Sequence, residues 1–161
     1  MLSKFSRSQS DILVTSTVSL AVILLDRLSK MLISDLLHDG ESLPVIPNVF
    51  HLTLVHNTGI AFGLFKDQGI VFLVIPVAAI VLLGINIFYY IYNDEPLDRL
   101  YLIGFSLILG GAVGNLIDRV QLGHVVDFLD FRIWPVFNIA DSAITIGAAV
   151  IAYKCFRLSA K

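Results

Sequence analysis

The stretch PVFNIADSAITIGAAVIAY, residues 135–153, has the apolar composition of a membrane-spanning helix, but it contains an aspartate, Asp141. About 20 apolar residues cross a bilayer as a helix, and we predict a span over residues 134–153. A carboxylate in such a segment is costly, so it indicates a functional site or a specific structural partner. A second aspartate, Asp127, lies a short loop upstream in the stretch GHVVDFLDF, residues 123–131. The chemistry of the chain depends on why these two carboxylates lie so close to a membrane helix.

The composition of the whole chain is typical of a membrane protein. Of its 161 residues, 57% are hydrophobic and 15% are charged, whereas soluble domains are roughly 45–50% apolar and about 25% charged. The formal net charge of −2 gives no reason to expect a nucleic-acid partner. A single cysteine, Cys155, is too few for a disulfide framework, and the four histidines lack HExxH-type spacing. We therefore expect one membrane domain covering residues 1–161, with no metal and no cofactor.

Four segments are predicted to cross the membrane. The second and third are joined by a short polar turn at residues 93–96, so we expect them to be antiparallel neighbours. The third contains Gly110 and Gly114, a G-x-x-x-G pair that lets another helix approach closely. The predicted spans cover residues 11–32, 69–92, 97–117 and 134–153.

Two segments, residues 33–68 and 118–133, are expected to lie outside the membrane on the same face. The part VFHLTLVHNTGIAFGLF, residues 49–65, is rich in β-branched and aromatic residues. It predicts one or two short strands with a turn at residues 57–59. The predicted fold is therefore an all-α membrane protein with four transmembrane helices and a small extracytoplasmic β-platform.

Four spans place both termini on one side of the membrane. Five cations lie near the termini, and the positive-inside rule then places both ends in the cytoplasm: Lys4, Arg7, Lys154, Arg157 and Lys161. Five further cations lie on the opposite side and weaken this inference unless each has a specific role: Arg27, Lys30, Lys66, Arg119 and Arg132. On this topology any site built from the extramembrane segments is extracytoplasmic.

Polar residues at the far end of the first predicted helix also need an explanation. Asp26 and Lys30 are four residues apart, so on a helix they share a face and can form an ion pair. They either mark the end of the helix at the membrane interface or support a site from below.

A similar polar face occurs at the end of the third predicted helix. One interpretation is a helix terminus with an ion pair. The other is that Arg119 binds an anionic group or a backbone carbonyl, because its guanidinium presents a rigid fork of donors. The residues that share this face, at spacings of three and four, are Gly111, Asn115, Asp118 and Arg119.

The two aspartates, Asp127 and Asp141, suggest a specific chemistry if they meet. Two carboxylates a few ångströms apart do not both ionise easily, so they share a proton as in aspartic proteases. The ionised member then takes a proton from water, and the protonated member donates to a carbonyl. Asp130 is a rival three residues after Asp127. Alternatively, Asp141 or Asn138 caps a helix that begins near residue 140.

Five short motifs follow one another along the chain, and in this order they are specific although each alone is weak. They are DRLSK (26–30), NTGIAF (57–62), GNLIDR (114–119), GHVVDF (123–128) and FNIADS (137–142). Together they resemble the D-x-x-S/T-K, N-x-G-x-A-F/W, G-N-x-x-D-R, G-x-V-x-D-F and F-N-x-A-D-S blocks of the lipoprotein signal peptidase, or signal peptidase II, family.

The resemblance implies a membrane aspartic endopeptidase of the bacterial cytoplasmic (inner) membrane. Such an enzyme removes the signal peptide from diacylglyceryl-modified prolipoproteins by cleaving before the lipidated cysteine. It implies Asp127 and Asp141 as the catalytic pair, and it leaves Asp130 outside the motif. Its partners would be prolipoprotein substrates and membrane lipid, the chain would act as a monomer, and no metal or cofactor is required. Residues matching positions that line or support the active site are Asn57, Gly59, Asn115, Arg119, Asn138, Asp26 and Lys30.

Two other classes use intramembrane polar residues as well. A small transporter or proton-conducting subunit would place them across the midplane, whereas here they cluster at one predicted face and no inverted repeat is visible. A non-catalytic scaffold would use them to hold helices together. We therefore expect the peptidase.

Overall fold

The computed structural model describes residues 2–59, 69–93 and 98–159. Within these ranges four helices and three strands follow one another. They are α1 (Leu2–Leu36), β1 (Ser42–Ile46), β2 (Phe50–Asn57), α2 (Gly69–Tyr92), α3 (Arg99–Leu122), β3 (Val125–Asp130) and α4 (Ile139–Ser159). The predicted combination of long helices with a small sheet is confirmed, whereas several predicted boundaries are wrong.

In the described ranges, three helices are long and apolar enough to cross a membrane. They are Gln9–Leu36, Arg99–Leu122 and Ile139–Arg157, whereas α2 contributes a shorter apolar helix, Pro76–Tyr90. Leucines such as Leu24 on α1 are more than half exposed, as expected for a surface that contacts lipid. Three of the four predicted spans therefore have the required length and composition.

The ends of α1 and α3 differ from the prediction. α1 extends beyond residues 11–32 in both directions, and α3 continues past residue 117. α3 ends where Gly123 adopts a φ of 78° and donates its backbone N–H to the Arg119 carbonyl at 3.1 Å. Glycine takes this left-handed conformation without strain and so terminates the helix. Residues 120–122, which we predicted to be part of a loop, are therefore helical.

α4 begins at Ile139 and not at residue 134. The chain after Pro135 returns to the sheet, where Phe137 N donates to the Leu129 carbonyl at 3.1 Å and Leu129 N donates to the Phe137 carbonyl at 2.7 Å. This pairing keeps the segment before α4 out of the helix. Asp141 consequently lies in the first turn of α4, and the prediction that it sits about seven residues inside a span is wrong.

α3 packs between α1 and α4, and glycines allow the close approach. A Cβ on Gly110 would lie 2.8 Å from the Ser19 carbonyl oxygen of α1. A Cβ on Gly147 of α4 would lie 2.6 Å from the Gly104 carbonyl oxygen of α3. Both distances are too short for a real side chain, so the helices can be this close only where glycine occurs. The predicted role of the Gly110 motif in close helix packing is thus confirmed.

The sheet is antiparallel with the strand order β1-β2-β3. β1 and β2 form a hairpin whose turn has Pro47 followed by Asn48 with a φ of 62°, and Val49 N donates to the Ile46 carbonyl at 3.0 Å. Proline followed by a residue with positive φ is the requirement of a type II turn. β2 lies within residues 49–65, where we predicted one or two strands, and it ends at Asn57, where we predicted the turn, whereas β1 precedes that stretch. Residues 60–68, also predicted to lie outside the membrane, fall outside the described residues.

β3 was not predicted, because we assigned its residues to a loop. Asp127 and Asp130 lower the strand propensity of the sequence VVDFLD. Pairing with β2 offsets this, since Val126 and Phe128 are buried in a cluster with Ile33 of α1. The sheet therefore rests on the last turns of α1, and β3 runs past the beginning of α4.

Candidate active site

The two predicted catalytic aspartates lie where α3, α4 and the sheet converge. Asp127 is in the middle of β3 and is only 2% exposed. Asp141 is in the first turn of α4 and is half-buried. The two side chains are joined through hydrogen-bonding amides, which are described next.

Asn138 is the N-cap of α4 and fixes Asp141 by reciprocal hydrogen bonds. Its side-chain Oδ1 accepts from Asp141 N at 2.9 Å, and its own backbone N donates to Asp141 Oδ2 at 3.4 Å. This is a capping box, in which a cap residue and the residue three positions later satisfy each other's backbone donors. Of the two capping alternatives, the structure shows Asn138 as the cap. Asp141 occupies the third position, with its carboxylate at the positive end of the helix dipole.

Asn138 also contacts the other aspartate. Its Nδ2 donates to Asp127 Oδ1 at 2.7 Å, to Asn115 Oδ1 at 3.0 Å and to the Val126 carbonyl at 3.3 Å. The residue is completely buried, so these polar groups depend on one another and not on water. One amide therefore positions both carboxylates relative to each other.

Asn57 and Gly59 lie at the end of β2, beside Asp127. Asn57 Nδ2 donates to Asp127 Oδ2 at 2.8 Å, and Asn57 Oδ1 accepts from Gly59 N at 2.9 Å. Asn57 pairs with Val125 in the sheet, so Asp127 is its diagonal neighbour on the same face. A register shift between Leu52 and Val55 lies just before this point. Such bulges re-aim side chains, and this one precedes the residues that contact Asp127.

Asn115 and Arg119 reach the site from α3. Asn115 Nδ2 donates to Asp141 Oδ1 at 2.7 Å. Arg119 Nη1 donates to the Asn115 carbonyl at 3.2 Å, so of the two predicted uses of this side chain the structure shows the backbone carbonyl. The half-buried guanidinium also lies within electrostatic reach of Asp127 and Asp141.

Beneath the amides lies a cluster of four charges, of which Asp26, Lys30 and Asp118 are buried and Arg27 is half-buried. Lys30 Nζ is 2.7 Å from Asp26 Oδ2 and 2.8 Å from Asp118 Oδ2, which confirms the predicted pairing of Asp26 with Lys30. Arg27 Nη1 donates to Asp118 Oδ1 at 2.8 Å. Two positive and two negative charges therefore balance, as burial requires.

Asp118 and Arg27 were not predicted as members of the charge cluster beneath the site. Asp118 is fully buried and also accepts a hydrogen bond from Val126 N, the residue before Asp127, at 3.3 Å. Asp26 likewise accepts from Ala140 N, the residue before Asp141, at 2.9 Å. The available signal was the position of Asp118 on the same helical face as Asn115. The partner of Asp118, which is 91 residues away, has no local signature.

Burial and its neighbours raise the pKa of Asp127. Removal of the carboxylate from water is the largest cause, and the nearby charge of Asp141 adds to it. The amides of Asn57 and Asn138 act in the opposite direction, and the resulting pKa is about 7. At neutral pH this buried carboxyl therefore holds a proton for a substantial part of the time.

Asp130, the rival carboxylate, lies in a different network. Its Oδ2 accepts from Thr53 Oγ1 at 2.7 Å and its Oδ1 accepts from Arg132 N at 2.8 Å. Burial opposes ionisation, but these donors and the Arg132 charge outweigh it and lower the pKa of Asp130. Its donors are a hydroxyl and an arginine, and it does not share the amides that join the other two aspartates.

Comparison with known proteins identifies the family. The family model described as signal peptidase (SPase) II matches residues 18–157, which contain every residue of the site described above. The chain belongs to the signal peptidase II family. Two relatives named lipoprotein signal peptidase, from Halothermothrix orenii and Moorella thermoacetica, are each 49% identical over 134 and 138 residues. The alignments cover 83% and 85% of this chain and 89% of each relative.

Two solved structures of similar fold are described as bacterial membrane enzymes, determined by the in meso method at 2.3 and 1.9 Å resolution. The TM-scores are 0.80 and 0.76, each at 32% sequence identity. The first alignment covers 89% of this chain and 87% of the other, and the second covers 88% and 91%. The likeness therefore extends over almost the whole chain.

As a signal peptidase II family member, the chain is a membrane-embedded protease. The peptidase prediction is confirmed over the transporter and the scaffold. The arrangement of polar groups agrees, because they gather where α1 and α3 end and α4 begins. All nine predicted site residues lie in or beside this one cluster: Asp26, Lys30, Asn57, Gly59, Asn115, Arg119, Asp127, Asn138 and Asp141.

Proposed function

We propose that this protein removes signal peptides from diacylglyceryl-modified bacterial prolipoproteins by cleaving before the lipidated cysteine, with Asp127 and Asp141 as its catalytic pair. The observation that carries the proposal is the bridge formed by Asn138, which donates to Asp127 and caps the helix turn that carries Asp141. Two carboxylates held by one amide have the fixed relative geometry that shared-proton chemistry needs.

The environments of the two carboxylates suggest which one starts with the proton. Asp127 is buried and has a pKa of about 7, so it is the candidate acid. Asp141 accepts hydrogen bonds from Asn115 and from the Asn138 backbone at the beginning of α4. Burial opposes ionisation of Asp141, whereas those donors, the helix dipole and the charges of Lys30 and Arg119 favour it, so we take Asp141 as the candidate base.

In the proposed reaction, Asp141 takes a proton from a water molecule whose oxygen attacks the scissile carbonyl carbon. Asp127 gives its proton to the carbonyl oxygen as negative charge develops there. When the intermediate collapses, the C–N bond breaks and Asp141 passes its proton to the leaving nitrogen. The hydroxyl proton returns to Asp127, so the carboxylic acid that forms leaves both aspartates in their starting states.

We further propose four membrane spans, with α2 as the fourth, and both termini in the cytoplasm. Four of the five cations on the site side have specific partners, which supports the topology. Lys30 pairs with Asp26 and Asp118, and Lys66 lies outside the described residues. The other pairs are Arg27 with Asp118, Arg119 with the Asn115 carbonyl, and Arg132 with Asp130.

This topology places the site at the extracytoplasmic face of the bacterial cytoplasmic membrane. Asp141 lies in the first turn of α4, and Lys154 lies 13 residues later, about 20 Å along the helix. The lipid of the substrate could then remain in the bilayer beside exposed apolar residues such as Leu28. One chain supplies every residue of the site, so a monomer is sufficient.

The test uses the purified protein in detergent with a diacylglyceryl-modified prolipoprotein, followed by gel shift. We expect wild type to release the signal peptide, and Asp127→Asn and Asp141→Asn to lose at least about 10³-fold in kcat while remaining folded. Asp130→Asn is the matched control, because it removes a carboxylate from the same strand. Its kcat should remain within about threefold of wild type. Normal cleavage by Asp141→Asn would overturn the proposed pair.

A further inference from the structure

Lys30 lies outside the carboxylate pair, yet it contacts a residue that binds one of the two. Its ammonium is 3.1 Å from Asn115 Oδ1, in addition to the 2.7 and 2.8 Å contacts with Asp26 and Asp118. The side chain is only 3% exposed. An ammonium has three N–H donors and no acceptor, so each oxygen can receive one N–H. The Lys30 ammonium therefore faces three protein oxygens and not water, with a hydrogen bond to Asn115 and ion pairs to the two carboxylates.

The contact with Lys30 determines which way the Asn115 amide points. An amide has one oxygen that accepts and one nitrogen that donates, and the two ends are similar in size. Because Lys30 can only donate, the oxygen of Asn115 must face it. The nitrogen is then directed toward Asp141, where Nδ2 donates to Oδ1 at 2.7 Å. A cation on α1 thus makes Asn115 a donor to a carboxylate on α4.

Asn138 also donates to the Asn115 oxygen, but less exclusively. Its Nδ2 has two hydrogens and lies within hydrogen-bonding distance of three oxygens, those of Asp127, Asn115 and Val126. The shortest of these contacts, 2.7 Å, is with Asp127. Lys30 Nζ instead donates a hydrogen bond to Asn115 Oδ1, and its contacts with Asp26 and Asp118 are ion pairs.

We propose that Lys30 is a positioning residue for Asp141: it fixes the Asn115 amide so that this amide stabilises the Asp141 carboxylate. The inference rests on the proposed function, in which Asp141 must be ionised to activate water. Without Lys30 the amide could turn its oxygen toward Asp141 and repel the charge. The charged groups around Asp141 are Lys30 and Asp26 from α1, Asp118 and Arg119 from α3, and Asp127 from β3.

Arg27 offers a matched control in the same charge cluster. Its guanidinium donates to Asp118 at 2.8 Å and to Gln121 Oε1 at 3.0 Å, and these contacts do not involve the Asn115 amide. Arg27→Met removes one cation from the four charges, as Lys30→Met does. A general loss of charge balance would affect both variants. Lys30→Met alone removes both the orientation of Asn115 and a positive charge that attracts Asp141. Removing the negative charge of Asp26 as well offsets that second effect.

Lys30→Met leaves Asp26 buried and without its partner, so the single variant is accompanied by Lys30→Met/Asp26→Asn. The asparagine oxygen can still accept from Ala140 N, and Arg27 still balances Asp118. In this charge-balanced variant we expect the acid limb of the profile of kcat against pH to shift by about one unit toward higher pH. KM should change by less than about twofold. In Arg27→Met the acid limb should lie at the same pH as in wild type.

A second readout needs no substrate. Wild type and each variant, labelled with ¹³C-carboxyl aspartate in detergent, are titrated by NMR, with the Asp141 signal assigned by its loss in Asp141→Asn. We expect the Asp141 midpoint to shift by about one pH unit in Lys30→Met/Asp26→Asn and to stay in place in Arg27→Met. The positioning role of Lys30 would be overturned if the Asp141 midpoint did not change in Lys30→Met/Asp26→Asn. An equal shift in Arg27→Met would also overturn it. Absence of cleavage by wild type would instead refute the proposed function.

Discussion

Asp127 and Asp130 lie three residues apart on the same strand, but their surroundings differ. Asp127 accepts hydrogen bonds from the amides of Asn57 and Asn138 and is nearly buried. Asp130 accepts from the Thr53 hydroxyl and from the backbone of Arg132, whose guanidinium is 3.4 Å away. The pKa of Asp127 is raised by burial to about 7, whereas the donors around Asp130 overcome its burial and lower its pKa.

The difference shows how the same residue type serves chemistry at one position and structure at another. Amides satisfy both oxygens of a carboxylate without supplying a full positive charge, so the group can gain and lose a proton near neutral pH. An arginine and a hydroxyl hold a carboxylate in its charged form and leave it no proton to exchange. Sequence spacing alone does not separate the two cases, because both aspartates follow apolar residues in VVDFLDF.

The largest difference between the two networks is expected when the Asn138 amide beside Asp127 and the Thr53 hydroxyl beside Asp130 are removed in separate variants. Asn138→Ala removes the helix cap and leaves Asp127 and Asn115 short of a buried donor. We expect a loss of about 2–4 kcal/mol in unfolding free energy and roughly 10²-fold in kcat. Thr53→Val removes one donor to Asp130 and should cost about 1 kcal/mol with kcat nearly unchanged.

Thermal unfolding and prolipoprotein cleavage, measured on the same preparations, check this pair of expectations. If Thr53→Val reduced kcat as strongly as Asn138→Ala, the two networks would be coupled. The distinction between a chemical and a structural carboxylate would then be wrong.

The pH dependence of stability should have opposite signs at the two positions. The raised pKa of Asp127 stabilises the fold at low pH, and this contribution is lost as the pH rises through about 7. Asp127→Asn should therefore be more stable than wild type at pH 8, by about 1–2 kcal/mol, with a smaller difference at pH 5. The lowered pKa of Asp130 stabilises the fold above about pH 4, so Asp130→Asn should be less stable at pH 7.

Unfolding temperatures measured between pH 3 and 9 for both variants and wild type test these signs. For Asp130→Asn the deficit should shrink as the pH falls below about 4. Parallel curves for wild type and Asp127→Asn between about pH 4 and 7 would show that Asp127 does not carry a raised pKa.

The smallest effect is expected from substitution of Arg132, which belongs to the Asp130 network. Arg132 adopts a φ of 65°, a conformation that asparagine tolerates better than arginine. Its ion pair with Asp130 is 3.4 Å long and the arginine side chain is 45% exposed, so little stability is lost with it. Arg132→Asn should change the unfolding free energy by less than about 1 kcal/mol and kcat by less than about twofold. A tenfold fall in kcat would extend the active site to this network.

Much of the site could be predicted from local spacing. The four-residue separation of Asp26 and Lys30 placed them on one face, and the structure shows the ion pair. Asn115 and Arg119 were placed on one face in the same way. Such predictions succeed because helix geometry fixes which neighbours meet over one turn, whatever the rest of the fold does.

Contacts made over long sequence separations could not be predicted. β3 forms because β2 is beside it, and α4 begins late because Phe137 pairs with Leu129. The position of Asp141 in the first turn of α4 follows from that boundary, and so does the choice of Asn138 over Asp141 as the helix cap. The pairing of Arg27 with Asp118 likewise depends on how α1 and α3 pack.

The bond between Ala140 N and Asp26 Oδ1 joins residues 114 positions apart, near the two ends of the chain. A ribosome makes α4 after α1, the three strands and α3, so these elements are synthesised before Asn138 and Asp141. Until then the buried charges of α1 have no helix end to bind, and Asp127 has no partner carboxylate. On the proposed mechanism, the active site is therefore complete only after α4 has been made, because Asn138 and Asp141 then join the residues already in place.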